Sequence, residues 1–149
     1  MCENFCNFAA DFGKVWPFRL GMTDDELRNI AWANAVIEPG YDANKYRKDA
    51  CGAWIMWDKY NVTESIFGWQ IDHIYPQSKL KERGFSQEAI DNPANIRALQ
   101  HQNNQSKGAD YPSYIAEITS QENRNIAKRV SLTINTKKQE ELRQLYNLL

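Results

Sequence analysis

The sequence predicts an α+β fold with helices at both ends, and three observations carry that prediction. Thr23 followed by Glu26 reads as a capping box that opens a helix. The stretches 67–75 and 126–134 alternate apolar and polar residues as half-buried strands do. Near the end, Leu142, Leu145, Tyr146 and Leu149 fall at i, i+3, i+4 and i+7, one face of a helix. At 149 residues the chain is one ordinary domain with a real core. Hydrophobic residues at 42% and charged residues at 25% exclude a disordered chain. No apolar run approaches the ~20 residues that span a bilayer, so no membrane partner is expected.

Taken in order, residues 1–22 are rich in aromatics (Phe5, Phe8, Phe12, Trp16, Phe18), which suggests packing against the domain. Glu3 and Asp11 interrupt this segment, and it lacks a basic start and a continuous apolar core. It does not read as a signal peptide, and a cytoplasmic location is expected. In a reducing compartment Cys2, Cys6 and Cys51 are free thiols. After Thr23, Asp24 and Asp25 favour the first helical turn, Leu27, Ile30 and Ala31 share a face, and Pro39-Gly40 is expected to end the element. The run Ala53 to Trp57 is core, as strand or short helix.

Phe67 to Tyr75 reads as a strand stopped by Pro76. A long connection follows, with a short helix at 86–90 and the turn Asp91-Asn92-Pro93. Residues 95–100 form a returning strand, and 101–107 a polar helix closed by Gly108. Tyr114–Thr119 and Ile126–Ile134 make a hairpin around the polar residues 121–125. Thr136 with Gln139 reads as a second capping box for the last helix. The organisation is a helical and aromatic extension over 1–46, a core over 47–110, and a hairpin plus helix over 111–149.

A formal net charge of −1 argues against a generic, salt-driven nucleic-acid binder. The charge is unevenly spread, with a net of −4 over residues 1–42 and +3 over 43–149. A compact basic surface in the C-terminal part and scattered solvated charges are equally compatible with that count.

The chemistry concentrates in Ile71-Asp72-His73-Ile74, which holds one of only two histidines. Neighbours on a strand point to opposite faces, so Asp72 and His73 share a reaction centre only at a strand end or bend. An Asp oxygen suits Mg²⁺ or Mn²⁺, and a neutral imidazole can take a proton from water. On the helix 101–107, His101, Asn104 and Lys107 recur at i, i+3 and i+6, placing an amide oxygen beside a cation.

The segments GWQIDHIYPQS and DNPANIRALQHQNNQSKG together resemble the HNH, or ββα-metal, endonuclease motif, over roughly residues 47–110. The nine-residue step from Asn95 to Asn104 is similar to the HNH domain of RNA-guided CRISPR effector nucleases. The resemblance implies an α+β protein with a ββα-metal (HNH) core, flanked by an N-terminal helix, a C-terminal β-hairpin and a C-terminal helix. It implies that Asp72 and the Asn104 amide oxygen hold one divalent cation, Mg²⁺ or a similar hard ion such as Mn²⁺. His73 is then the general base on the attacking water, Asn95 fixes the loop that aims it, and Lys107 contacts phosphate. The implied substrate is DNA, with RNA as the other possibility.

Two departures qualify the family pattern. The closing position is Asn104 rather than His, which favours a hard catalytic metal. The two C-x-x-C pairs that bind a structural zinc in many relatives are reduced to Cys51, with Gln100 and Asn103 at the downstream positions. No structural zinc is expected, and packing by Trp54, Trp57 and Trp69 is expected to replace it. His101 has no assigned role in the motif and reads as a cap or surface residue. The alternative function is a degenerate HNH-like module that binds nucleic acid or protein without cutting.

Overall fold

Thr23 caps the first helix as its sequence predicts. Its hydroxyl accepts from the Glu26 N–H at 3.2 Å, and Glu26 Oε1 accepts from the Thr23 N–H at 2.8 Å. In the computed structural model, which describes residues 21–148, this helix is α1 (Asp24–Ala33). It ends well before Pro39, because Asn34 takes the cap position and sends its side-chain amide to the carbonyls of Pro93 and Ile96. The aromatic residues Phe5 to Phe18, with Cys2 and Cys6, lie outside the described residues.

The elements that follow are β1 (Tyr46–Lys48), β2 (Trp54–Met56), β3 (Trp69–His73), α2 (Gln77–Glu82), α3 (Gln87–Ile90), β4 (Ile96–Gln100), α4 (His101–Lys107), β5 (Ser113–Gln121), β6 (Arg124–Thr133) and α5 (Thr136–Tyr146). Among the described residues the fold is therefore α+β, with five helices and three antiparallel two-stranded sheets. None of these helices is long and apolar enough to cross a membrane. The apolar run at 53–57 resolves as strand β2 followed by a single 3-10 turn.

Three boundaries differ from the sequence expectations, each for a local reason. Helix α2 follows Pro76 with no side-chain cap, so nothing at its start signals it. Helix α5 is capped by Asn135, whose side chain accepts from the Lys138 N–H at 2.8 Å. Gln139 does not complete a box with Thr136 and instead donates to the Ile134 carbonyl. The β5–β6 hairpin is longer than the apolar alternation, because its turn tightens to Glu122-Asn123, with Glu122 at φ 56°.

Two apolar clusters sandwich the β3–β4 ribbon. Ala31 and Trp32 of α1 pack with Ile55, Trp69, Ile96 and Ala98, and Trp57 covers this cluster partly buried. On the other side Leu99 joins Leu80, Ile90, Tyr114, Ile134, Leu142 and Tyr146. Each fully buried Leu or Ile here contributes about 1.5–3 kcal/mol from area removed from water. The ribbon is thereby fixed in register, with Asp72 opposite Arg97 and His73 opposite Ile96.

Around Cys51, Gln100 and Asn103 the chain builds a polar junction. Asp49, 2% exposed, accepts from the Cys51 and Ala53 N–H groups through Oδ1 and from the Gln100 N–H and Asn103 Nδ2 through Oδ2, all at 2.9–3.0 Å. Asn103 in turn accepts from the Glu117 and Ile118 N–H groups and donates to the Ile118 carbonyl. It docks α4 onto β5 at the bulge around Glu117. This junction ties β1–β2, β4, α4 and β5 together. Cys51 is buried beside Tyr114, and burial pushes its thiol up to about 12, leaving it unreactive.

Candidate functional site

His73 is the last residue of β3, where the strand's alternation lapses and Pro76 turns the chain into α2. At that end Asp72, His73 and Asn104, with Pro76, Gln77 and Ser78, line one open pocket of about 240 Å³. The strand thus delivers adjacent residues to a common space.

Asp72 is 4% exposed and faces α4 and β4. Its carboxylate accepts from Arg97 Nε at 2.8 Å and pairs with Lys107 Nζ at 3.2 Å. Lys107 also donates to the His73 carbonyl at 3.2 Å. Burial pulls the Lys107 ammonium below its ordinary range, and the Asp72 carboxylate opposes that pull. Only 1% exposed, Lys107 is not open to a phosphate, and the expectation that it contacts one is corrected. On a seven-residue helix the i+6 position has rotated from the surface into the sheet.

Asn104 lies one turn earlier on the same helix. Its Nδ2 donates to Gln70 Oε1 at 2.9 Å, which leaves the amide oxygen as the arm available to another partner. His101 stands apart from the pocket, its Nε2 bonded to the Ser65 carbonyl at 3.0 Å. A carbonyl only accepts, so that nitrogen carries the proton and the ring anchors the start of α4.

Asn95 is fully buried and points away from the pocket. Its Oδ1 accepts from the Tyr75 N–H at 2.7 Å, while Nδ2 donates to the Tyr75 and Ile90 carbonyls at 3.2 Å. The Asn95 carbonyl accepts from the Ile74 N–H at 2.9 Å. One amide thus clamps the chain just beyond His73 to the end of α3.

That clamp also sets a residue the sequence did not single out. Asp91, 3% exposed, accepts from His73 Nε2 at 2.8 Å and from Gln87 Nε2 at 3.0 Å, both on Oδ1. With Nε2–H committed to Asp91, the free nitrogen of a neutral His73 is Nδ1. Tyr146 of α5 holds the same loop by donating to the Ala89 carbonyl at 2.8 Å. The only sequence trace of Asp91 was its place in a turn, 18 residues from His73.

A larger cavity of about 610 Å³ lies beyond Arg97, among Ile74, Ile96, Tyr114 and Leu132. Lys138 on its wall is already held by Glu141 and the Ala94 carbonyl, and no histidine lines it. Among the described residues no three His, Cys, Asp or Glu side chains cluster to hold a metal. A cation at the smaller pocket would therefore depend on one carboxylate, an amide oxygen, water and substrate. Compared with family models, curated proteins and solved structures, the chain finds no match.

Proposed function

We propose that the chain is a metal-dependent endonuclease of the HNH type, with β3, β4 and α4 as its ββα-metal core and DNA as its substrate. The observation that carries this reading is the meeting of Asp72, His73 and Asn104 at one open pocket, on consecutive β, β and α elements. The donor set fits a hard cation. A carboxylate and an amide oxygen are ligands Mg²⁺ accepts, and it commonly takes one or two carboxylates with water and substrate phosphate. When bound there, Mg²⁺ or Mn²⁺ would supply electrostatic stabilisation of charge developing on the phosphate and the leaving 3′-oxygen.

The protein's own part is positional and basic. His73 takes the proton of the attacking water at Nδ1, because Asp91 holds Nε2–H and fixes the ring from behind. Asn95 and Lys107 fix the backbone on either side, through Tyr75 and the His73 carbonyl. Asp72 would be the carboxylate that holds such a cation, in place of part of its contact with Lys107. The break leaves a 3′-hydroxyl on one fragment and a 5′-phosphate on the other.

A second reading rests on the two ion pairs of Asp72, which occupy the carboxylate. It makes the chain a non-cutting module that binds nucleic acid or protein. Plasmid nicking separates the two. With Mg²⁺ or Mn²⁺ the wild type should nick supercoiled DNA, and His73→Ala should lose on the order of 10²–10⁴-fold in rate. Cleavage that survives His73→Ala would remove the mechanism, and no cleavage by wild type in either ion would favour the second reading.

A further inference from the structure

Beside the candidate site lies a groove of about 510 Å³ whose charged lining, among the described residues, is wholly basic. Helix α2 contributes Lys79, its C-cap residue is Arg83, α5 contributes Arg143, and Tyr75 and Tyr111 line the same groove. All three cations are exposed. Lys79 pairs with no carboxylate among the described residues. Arg83 donates to the Asn147 carbonyl, and Arg143 bonds Glu140, which lies outside the groove lining. Among the described residues no carboxylate lines the groove, in a chain whose formal net charge is −1.

The position of the groove is as informative as its charge. Pro76, Gln77 and Ser78 line the His73 pocket, while Tyr75 and Lys79, the residues that bracket them, line the groove. The two spaces therefore share the turn into α2 as a common wall. Tyr75 and Tyr111 meet edge to face at 4.8 Å and are partly buried, giving the groove a firm apolar floor between its cations. Cations flanking aromatic surface are what an extended nucleic-acid strand requires, phosphates on the charges and sugars or bases on the rings.

We propose that this groove binds the phosphodiester backbone of the substrate strand next to the scissile bond, with Lys79, Arg83 and Arg143 as its phosphate contacts. The assignment of the neighbouring pocket to cleavage rests on the nuclease reading. The groove's affinity for a strand does not. Lys107 is buried against Asp72, so the cations that meet the substrate come from α2 and α5 instead.

The test is fluorescence anisotropy of a labelled single-stranded oligonucleotide of about 16 nucleotides, with EDTA present so that nothing is cut. Lys79→Glu combined with Arg83→Glu should weaken binding about tenfold or more and lower the slope of log K against log salt by about 1.4. Lys128→Glu, an exposed charge change on β6 outside the groove, should change neither by more than about twofold. An unchanged affinity in the double variant would overturn the assignment. Equal losses in Lys128→Glu would do the same, by showing diffuse attraction rather than a groove. Inorganic phosphate at equal total charge should compete poorly, and strong competition would make the groove a site for a free anion. If the groove binds as described but wild type never nicks DNA, the cleavage reading fails and the groove stands.

Discussion

Two nearly fully buried carboxylates sit in the same core and are held in opposite ways. Asp49 accepts four hydrogen bonds from neutral N–H donors, three of them main chain. Asp72 is held by two cations on long side chains, Arg97 and Lys107. Main-chain donors cannot leave without unfolding the segment that carries them. Side-chain cations can swing away, or in the case of Lys107 shed a proton, at a local cost. Asp49 is therefore a joint of the scaffold, whereas Asp72, which also lines an open pocket, is a group whose partner can be exchanged.

The largest expected effect is on stability and separates the two. Asp49→Ala leaves four buried donors without an acceptor and should cost about 3–5 kcal/mol, read as a lower urea midpoint or loss of the fold. Asp72→Asn keeps an acceptor for Arg97, and Lys107 can become neutral, so about 1–3 kcal/mol is expected. Equal losses would break the comparison.

Metal-linked stability is the next effect in size. With a Kd near 1 mM, 10 mM Mg²⁺ would stabilise the native state by about 1.4 kcal/mol. That increment should appear in wild type and in Asn103→Ala, whose amide belongs to the Asp49 junction, but not in Asp72→Asn or Asn104→Ala. If Asn104→Ala keeps it, Asn104 is not a ligand. Lys107→Met sharpens the point further. Removing the competing cation should tighten Mn²⁺ binding several-fold, as read by calorimetry, and an unchanged affinity would mean that Arg97 rather than Lys107 guards the carboxylate.

The sequence made these two regions unequally legible. Asp72, His73, Asn95 and Asn104 lie within one local pattern of strand, strand and helix, so their order and spacing announced them. Strand β4 and helix α4 were readable for the same reason, from Asn95 to the Gly108 stop. The Asp49 junction joins residues 51 and 54 positions apart, and nothing around Asp49 marks it as an acceptor. Asp91 was hidden because Asp in an Asp-Asn-Pro turn already has an ordinary local reason to be there. Lys107 was misplaced because its helix rotates it inward, a fact set by packing on β3 rather than by helix periodicity. Local signals survive in sequence, while contacts made by tertiary closure do not.

The smallest effect concerns pH and tests whether Asp49 is a joint at all. Burial raises its carboxyl above the ordinary 3.8, against the four hydrogen bonds that lower it. The folded state then holds this proton more tightly than the unfolded chain does. The contribution of Asp49 to stability is therefore greatest at low pH and declines as pH rises from about 4 through the raised value. Other carboxylates titrate in the same range, so the difference between wild type and Asp49→Asn is the quantity to follow. Asn cannot titrate, and it replaces one acceptor oxygen with a donor that faces the donors around it. The advantage of wild type over Asp49→Asn in thermal unfolding should narrow as pH rises above about 4. An advantage that widens would mean that the N–H bonds dominate and hold the carboxylate ionised, making Asp49 an anion site in the core as Asp72 is at the pocket.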